Sequence, residues 1–163
     1  RSRPHAIFSE GPRATLSRRA PNCEESVFML TRARIGQSTV VGVGGDMIPG
    51  STFVDLLPLY ERDAQTECIV IIGEIGGSEE ELAAEYIRAH VTKPVIALIA
   101  GKSAPRGRSM GHAGAIVSPG GEGSAEAKEK ALAAAGVRIA ESTAQIVEIA
   151  GEILAGKGGR HTR

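Results

Sequence analysis

The stretch "CIVIIGEIGGSEEELAAEYIRAH", Cys68 to His90, decides the fold of this chain. It opens with a run of apolar, mostly β-branched residues, passes through glycines and continues as an acidic segment that contains alanine. An apolar run without polar alternation predicts a strand that is buried on both faces. The acidic segment predicts a helix with Ser78 as its N-cap, and Glu81, three residues on, completes a capping box. A strand followed by a helix is the repeating unit of a parallel sheet.

The same alternation recurs before and after this unit. Further strands are predicted at 14–17, 38–45, 94–101 and 137–140, and further helices at 24–33, 51–63, 124–136 and 142–156. Pro58 is expected to shorten or kink its helix, Gly136 to end the fourth helix, and Ser142 to cap the last one. Five strand–helix units predict an α/β fold, a flavodoxin-like three-layer sandwich with a parallel sheet of about five strands.

Composition narrows the function classes. The 163 residues are 42% hydrophobic and 23% charged, which suits one globular domain. Lysine plus arginine equals aspartate plus glutamate at 19 each, and aromatic residues make up only 3%, so the sequence indicates neither nucleic-acid binding nor base stacking. No apolar run approaches the roughly 20 residues of a membrane span. The two cysteines match no metal or CxxC spacing, which predicts no metal site and favours a reducing compartment.

Glycine-rich segments follow the predicted strands, in "GVGGD", "IGEIGG" and "IAGKSAPRG". In doubly wound folds ligands bind at the carboxyl ends of the strands. Turns rich in glycine expose backbone N–H groups there, and these groups favour anions such as phosphate. Neither GxGxxG nor GxxxxGK[ST] occurs in the required context, so the glycines alone also fit an ordinary loop of this fold.

One histidine stands apart, in "GRSMGHAGAIVSPGG", residues 107–121. His112 is flanked by Gly111, Ala113 and Gly114, which have too little bulk to pack around an imidazole. Beside an anion site, such a histidine fits a nucleophile that attacks phosphorus. That role needs a carboxylate on the other ring nitrogen. Glu74, at the end of the neighbouring strand, is the best-placed candidate, although a carboxylate favoured by a helix start would occupy the same position.

The basic residues around this loop, Lys102, Arg106 and Arg108, are candidates for holding phosphate or the acidic surface of a partner. Simple surface solvation explains each of them equally well. Cys68 begins a buried strand and is expected to be a core residue.

The motifs "GVGGD", "IGEIGG" and "MGHAGAI" together resemble the α subunit of succinyl-CoA synthetase (succinate–CoA ligase), in its C-terminal phosphohistidine ligase domain. The resemblance runs from about Ile35 to Leu154. The GHAGA loop also resembles those of ATP-citrate lyase and malate–CoA ligase. A related ligase of either type therefore stays open as an alternative, as does a non-catalytic truncated subunit. A flavin-binding flavodoxin-like domain is a poor fit, because so few aromatic residues are present.

The resemblance implies an acid–CoA ligase of the tricarboxylic acid cycle, present as a subunit fragment that is inactive alone. His112 would pass a phosphoryl group from succinyl phosphate to a nucleoside diphosphate, and Glu74 would orient it. Phosphate would bind at Ser17 and Arg18 and at the three small residues Gly111, Ala113 and Gly114. The full complex implies CoA, ATP/ADP or GTP/GDP, phosphate and Mg²⁺, with none held confidently by this domain alone. Expected partners are a β subunit with an ATP-grasp domain and the CoA-binding domain of the same subunit, which we expect to be missing here. The implied location is the bacterial or archaeal cytoplasm or the mitochondrial matrix.

One segment departs from the family pattern. Where the family has a segment like "SRSGTLTYE", this chain has "SRRAPNCEE", Ser17 to Glu25, without the glycine and with Pro21, which lacks an N–H. Loss of three single bases from a family-like coding stretch would produce this change, and natural divergence is the alternative. We accordingly expect a divergent N-terminal segment with the first strand and helix at 1–34, a ligase domain at 35–155 and a disordered tail at 156–163.

Overall fold

The computed structural model describes residues 7–46, 48–103, 115–117 and 123–156. Within these ranges five strands alternate with five helices, and the strands form one parallel sheet in the order β2-β1-β3-β4-β5. That order is the flavodoxin-like one, so the predicted fold class is confirmed. The elements are β1 (Glu10–Ser17), α1 (Ala20–Arg32), β2 (Gln37–Gly42), α2 (Phe53–Arg62), β3 (Cys68–Glu74), α3 (Glu79–His90), β4 (Val95–Ala100), α4 (Ala125–Ala134), β5 (Arg138–Ile139) and α5 (Thr143–Leu154).

Two hydrophobic clusters cover the two faces of the sheet, because side chains along a strand point alternately to opposite sides. On one face Ile69 and Ile71 of β3 belong to the cluster that contains buried residues of α2, α3 and α4. On the other face Val70 and Ile72 belong to the cluster with buried residues of α1 and α5. All seven residues of β3 are buried, as its unbroken apolar run predicts. Cys68, at its start, is a fully buried core residue, as expected.

The predicted helix ends at Gly136 and Ser142 are confirmed, and the capping box predicted at Ser78 is wrong. Gly136, with a φ of 83°, follows α4, and the Ser142 side chain accepts a hydrogen bond from the Gln145 N–H at 3.2 Å. Ser78 does precede α3, but its side chain makes no cap hydrogen bond, so the predicted capping box is absent. Its intended partner, Glu81, instead reaches Nζ of Lys128 at 2.9 Å.

A capping box is present one helix earlier, at the start of α2. The Thr52 hydroxyl accepts a hydrogen bond from the Asp55 N–H at 3.2 Å, and the Asp55 carboxylate accepts one from the Thr52 N–H at 2.8 Å. Hydrogen bonds from the Thr52 N–H and hydroxyl to its carboxylate lower the pKa of Asp55. Pro58 lies inside α2, which continues through it for a total of ten residues.

Strand β1 carries polar side chains into the core. Arg13 and Thr15 are both fully buried, on the opposite face of the strand from the core residues Ala14 and Leu16. Nη2 of Arg13 donates to the Ala150 carbonyl at 3.3 Å, whereas its Nε and Nη1 and the Thr15 hydroxyl have no hydrogen-bond partner within the described residues. Burial lowers the pKa of Arg13. Because buried polar groups without partners cost free energy, this face of β1 weakens the core.

The helices described here are all too short or too polar to cross a membrane. The expected disordered tail falls almost wholly on residues 157–163, which lie outside the described residues.

Candidate functional site

A cleft of about 460 Å³ opens at the carboxyl ends of β3 and β4, between the first turns of α1 and α5. It adjoins the boundary between β1 and β3, where the strand order reverses. The chain runs from β1 to β2 on one side of β1 and then crosses to β3 on the other side. Ligands of doubly wound folds bind at such a point, so the position of the cleft agrees with the predicted site. Its walls include Arg19, Asn22 and Glu25 of the β1–α1 region, Glu74 and Ile75, Gly101 and Lys102, Ala115, and Glu141, Ser142 and Thr143.

Glu74 is the last residue of β3 and only 1% exposed, yet it lines the cleft. Its Oε1 lies 3.7 Å from Nη2 of Arg18, and its Oε2 lies 3.8 Å from Nη1 of Arg19. Both distances are those of ion pairs rather than hydrogen bonds, so the two guanidinium groups offset the carboxylate charge. Nη1 of Arg18 also donates to the backbone carbonyl of Glu74 at 3.5 Å.

Arg18 follows β1 and is 5% exposed. Its backbone N–H donates to the Ile72 carbonyl at 2.9 Å, which continues the β1–β3 pairing. Its Nη1 donates to the Gly76 carbonyl at 3.0 Å and to both carboxylate oxygens of Glu80, at 3.0 and 3.1 Å. The guanidinium is therefore bound to the β3–α3 turn, directly beside Glu74.

Ser17 sets the entry into α1. Its hydroxyl accepts a hydrogen bond from the Arg19 N–H at 3.1 Å and donates to the Arg19 carbonyl at 2.8 Å. The N-cap residue Arg19 provides no side-chain cap, no acidic residue stands in the first turn, and Pro21 removes one N–H from it. Arg19 and Asn22 line the cleft, so this helix start adds its positive end to the cleft wall.

Two glycine turns meet next to this site. The N–H of Gly76 donates to the carbonyl of Gly123 at 2.7 Å, and a Cβ on Gly123 would lie 3.0 Å from the Gly76 Cα. Both residues have positive φ, 87° and 74°, a conformation that side chains with a Cβ disfavour. The β3–α3 turn is thus joined to the residues that lead into α4.

The predicted nucleophile His112 lies outside the described residues, together with its neighbours Gly111, Ala113 and Gly114. The same holds for the basic residues Arg106 and Arg108. Of the predicted site residues, the structure brings Arg18 and Glu74 into contact, whereas neither Ser17 nor Arg18 lines the cleft.

Lys102 precedes His112 in the sequence and Ala115 follows it, and both line the cleft with Glu74. Lys102 is anchored to other elements, with its Nζ 2.7 Å from a carboxylate oxygen of Glu129 and 2.5 Å from one of Glu141. Burial acts to lower the pKa of Lys102, but hydrogen bonds from these two carboxylates outweigh it and raise that pKa. The side chain of Ala115 is fully buried.

Glu80 and Lys128 were missed by the sequence reasoning, although both are fully buried beside Arg18. A lysine on a helix is ordinarily exposed to solvent, but Lys128 of α4 is fully buried. A usable signal was its spacing: Lys128 follows Ala125 by three residues and precedes Leu132 by four, and those two residues form the buried face of α4. This spacing places Lys128 on the buried face of α4, where a lysine is rarely found.

In the described part of the chain, no group of three or more histidine, cysteine, aspartate or glutamate side chains is placed to hold a metal ion. Cys23 and Cys68 are both buried and form no disulfide. Burial raises the pKa of the Cys68 thiol to about 12, as expected of a core residue rather than a reactive one.

Curated relatives of this chain are α subunits of succinate–CoA ligases. It is 48% identical over 151 residues to "Succinate--CoA ligase [ADP-forming] subunit alpha 2" of Archaeoglobus fulgidus. This match covers 93% of this chain and 52% of the relative. It is also 48% identical over 151 residues to the ADP-forming α subunit of Aquifex aeolicus, covering 93% of this chain and 49% of that one. The chain thus spans about half the length of the curated relatives it matches.

Solved structures share the fold. An ATP citrate lyase variant of Methanosaeta concilii in complex with (3S)-citryl-CoA superposes with a TM-score of 0.78, at 25% identity, over 95% of this chain and 26% of that one. A dinucleotide-forming acetyl-coenzyme A synthetase of Korarchaeum cryptofilum superposes with a TM-score of 0.60 at 21% identity, over 86% of this chain and 29% of that one, and shows the fold alone. The family model described as CoA-ligase matches residues 16–138, which is most of the sequence. This chain belongs to the CoA-ligase family.

Proposed function

We propose that this chain is the ligase domain of a succinate–CoA ligase α subunit and that His112 carries its phosphoryl group. The observation that supports this most is the buried carboxylate of Glu74 in the wall of the cleft that Ala115 also lines. Ala115 follows His112 by only three residues in the sequence. The identity of 48% to ADP-forming α subunits favours succinate as the acid.

The proposed chemistry is two successive displacements at phosphorus. One imidazole nitrogen of His112 attacks succinyl phosphate, so that a P–N bond forms, the P–O bond to the acyl group breaks and succinate leaves. An oxygen of the nucleoside diphosphate then attacks the same phosphorus, and the P–N bond breaks to give the triphosphate and free histidine. The other ring nitrogen keeps its proton throughout and donates it in a hydrogen bond to Glu74. This bond fixes the tautomer and stabilises the positive charge of the phosphorylated ring.

The surroundings of Glu74 suit this role. Arg18 and Arg19 approach its two oxygens to 3.7 and 3.8 Å, which offsets the charge of a carboxylate that is only 1% exposed. The start of α1 favours a phosphoryl group at the cleft, although Pro21 removes one of the N–H groups that such a site uses. Phosphate binding by Ser17, Arg18 and the small residues around His112 stays a prediction, and the described bonds of Ser17 and Arg18 go to protein groups.

We infer that the working enzyme is a heteromer. The relatives are named as α subunits, which implies a β subunit, and we propose that this partner supplies an ATP-grasp nucleotide site with Mg²⁺. CoA would bind to a further domain, in keeping with the citryl-CoA complex of the similar lyase. We propose the ligase domain at 35–155, with residues 1–34 as its divergent entry, and a cytoplasmic or mitochondrial location.

An ATP-citrate-lyase type of ligase is the second candidate, supported by the TM-score of 0.78 to that enzyme. The identity there is 25%, about half of that to the succinate–CoA ligase α subunits, so it ranks second. A non-catalytic subunit is the third, and the start of α1 favours it, because Pro21 removes an N–H that a phosphate site would use.

Phosphorylation from the nucleotide side tests the proposal. The chain is mixed with the β subunit of the Aquifex aeolicus succinate–CoA ligase, γ-labelled ATP and Mg²⁺, with the His112→Asn variant as control. We expect label that is acid-labile and base-stable in the wild-type chain and none in the variant. Absence of label from a chain that circular dichroism shows folded and gel filtration shows bound to β would refute the proposal.

A further inference from the structure

A groove of about 450 Å³ runs between α2 and α3, apart from the cleft described above. It is lined by Thr52, Val54, Glu79, Leu82, Glu85, Tyr86, Ala89 and His90. Thr52 precedes α2 and Glu79 opens α3, so one end of the groove lies where these two helices begin. Both helices begin at the carboxyl edge of the parallel sheet, because each follows a strand. The groove therefore starts at the same edge of the sheet as the cleft.

Helix α3 carries an apolar stripe toward this groove in addition to its buried face. Ala83 and Ile87 pack into the core, as one face of a helix in this fold should. Leu82, Tyr86 and Ala89 are spaced by four and three residues, so they lie together on a second face, and Leu82 is 48% exposed. A helix on the surface of a domain normally has polar residues there. The stripe thus indicates a surface that another protein element covers.

Tyr86 gives the groove a fixed aromatic wall. Its ring lies 4.8 Å from the ring of His90, measured between centroids, and the two rings are tilted by 44°. The tyrosine side chain also packs against the core cluster on this face of the sheet. A tyrosine held in this way loses little conformational entropy when a partner packs on it, and tyrosines are among the residues that contribute most to binding at interfaces.

The rim of the groove is acidic. Glu79 and Glu85 line it, and neither forms an ion pair or a hydrogen bond with any residue in the described part of the chain. The helix dipole accounts for Glu79 in the first turn of α3, but not for Glu85, which lies six residues further along. Lysine and arginine are absent from the described lining. An apolar side chain flanked by lysine or arginine would complement both the floor and the rim.

We propose that the partner subunit of the heteromer docks in this groove through an apolar segment flanked by basic side chains. This inference rests on the proposed function, in which that partner brings a nucleotide to the cleft. Glu79 follows Glu74 by five residues, so the start of α3 lies at most about 18 Å from the cleft wall. A partner that reaches the cleft at this edge therefore also reaches the groove. Ile48, which is 90% exposed between β2 and α2, adds an apolar side chain at the same edge.

Protection of an introduced thiol tests this docking site, because the two native cysteines, Cys23 and Cys68, are both buried. The variant Leu82→Cys places a reactive thiol in the groove. Leu59→Cys is the matched control, since Leu59 is 52% exposed on α2 but does not line the groove. Each variant is treated with iodoacetamide, alone and with a saturating amount of the β subunit of the Aquifex aeolicus succinate–CoA ligase. Mass spectrometry follows the modification at position 82 or 59.

We expect the β subunit to slow modification of the Leu82→Cys variant at least about 10-fold, because the centre of an interface excludes water and small reagents. Modification of the Leu59→Cys variant should change by less than about 2-fold, as expected of a position outside the interface. Reversal of the rim charge in Glu85→Lys should weaken binding of β about 10-fold at low salt. Glu126→Lys makes the same charge change at the exposed start of α4 and should leave that affinity within about 3-fold of wild type.

Other outcomes overturn the inference. If gel filtration shows that β binds but the thiol of the Leu82→Cys variant stays as reactive as before, the partner docks elsewhere, while the proposed heteromer stands. Equal protection at positions 82 and 59 would show a contact that is not specific to the groove. Protection that appears without β and rises with the concentration of the chain would assign the groove to a second copy. A wild-type chain that is folded but does not bind β refutes the proposed heteromer, and this inference with it.

A variant that loses binding still gives a decisive result. If Leu82→Cys is folded by circular dichroism but no longer binds β, whereas Leu59→Cys binds normally, the loss itself supports the groove as the docking site.

Discussion

Replacing Arg13 by methionine should stabilise this protein, because the arginine is buried in β1 with only one of its nitrogens bonded. Its side chain has no exposed surface, and its Nε and Nη1 have no hydrogen-bond partner in the described part of the chain. Methionine keeps the length and flexibility of the arginine stem and packs well in irregular apolar space. The substitution Arg13→Met therefore removes polar groups without leaving a large cavity.

The size of the effect follows from these contacts. Each buried donor without a partner costs about 1–3 kcal/mol, so relieving two gives about 2–6 kcal/mol. The lost bond from Nη2 to the Ala150 carbonyl, 3.3 Å long, takes back about 0.5–1.5 kcal/mol, and lost attraction to Glu67 takes back somewhat more. The net gain is between about 0.5 and 5 kcal/mol, which includes the range of about 1–4 kcal/mol observed when buried ionic groups are replaced by apolar ones. For a domain of this size that corresponds to a rise in Tm of roughly 1–20 °C.

Denaturant titration and thermal melting followed by circular dichroism would measure this gain. The matched control is Arg138→Met, since Arg138 is 39% exposed and paired with Glu152, so its loss should change stability by less than about 1 kcal/mol. A decrease in stability for Arg13→Met would mean that Nε and Nη1 of Arg13 do have hydrogen-bond partners in the folded protein, and it would refute the reasoning.

Three further predictions concern β3 and its neighbours. Gly73→Ala should lower the free energy of unfolding by about 1–3 kcal/mol, because its Cβ would meet Oε1 of Glu80 at 2.6 Å. Gly42→Ala is the control and should be close to neutral in the same titration, because its Cβ would lie 3.9 Å from the Ser17 carbonyl oxygen. Burial raises the pKa of Cys68 to about 12, so the unfolded chain loses this proton at a lower pH than the folded one. Stability should therefore fall by about 1.4 kcal/mol per pH unit from about pH 8.5 to about pH 10, above which Tyr60, whose pKa burial also raises, adds to the slope. Cys68→Ala should flatten that slope, and an unchanged slope would contradict the assignment. Glu74→Gln should slow labelling of the chain by ATP at least about 10-fold and should also lower Tm, because it removes a counter-charge of the buried Arg18. Labelling at the wild-type rate by a variant that circular dichroism shows folded would exclude Glu74 as the orienting carboxylate.

Element order and fold class were predictable because they depend on the hydrophobic pattern. The apolar runs of β3 and β4 and the Gly136 stop after α4 have local causes, and the structure contains all three. The failed capping box at Ser78 has a tertiary cause, since Glu81 is drawn to Lys128 across 47 residues of sequence. An ion pair between residues this far apart in the sequence cannot be predicted from a local pattern.

The candidate site was predicted in part for the same reason. Glu74 was found because it ends a buried strand, which is a local signal, and it does line the cleft. The roles of Glu80 and Lys128 depend on a meeting of α3 and α4 behind β3, so three-dimensional packing was needed to reveal them. His112 was identified from its small neighbours and from the family resemblance, and its function stays a prediction.

The central claim is that His112 carries phosphate, and mapping the modified residue tests it most directly. After incubation with the β subunit, ATP and Mg²⁺, the chain would be digested at neutral to basic pH, where phosphohistidine survives, and the peptide that covers residues 107–121 would be sequenced by mass spectrometry. We predict one phosphate on this peptide, at His112, lost on brief acid treatment and absent without β. Phosphate found on Ser109, on Ser118 or outside this peptide, or none at all from a folded and β-bound chain, would contradict the account.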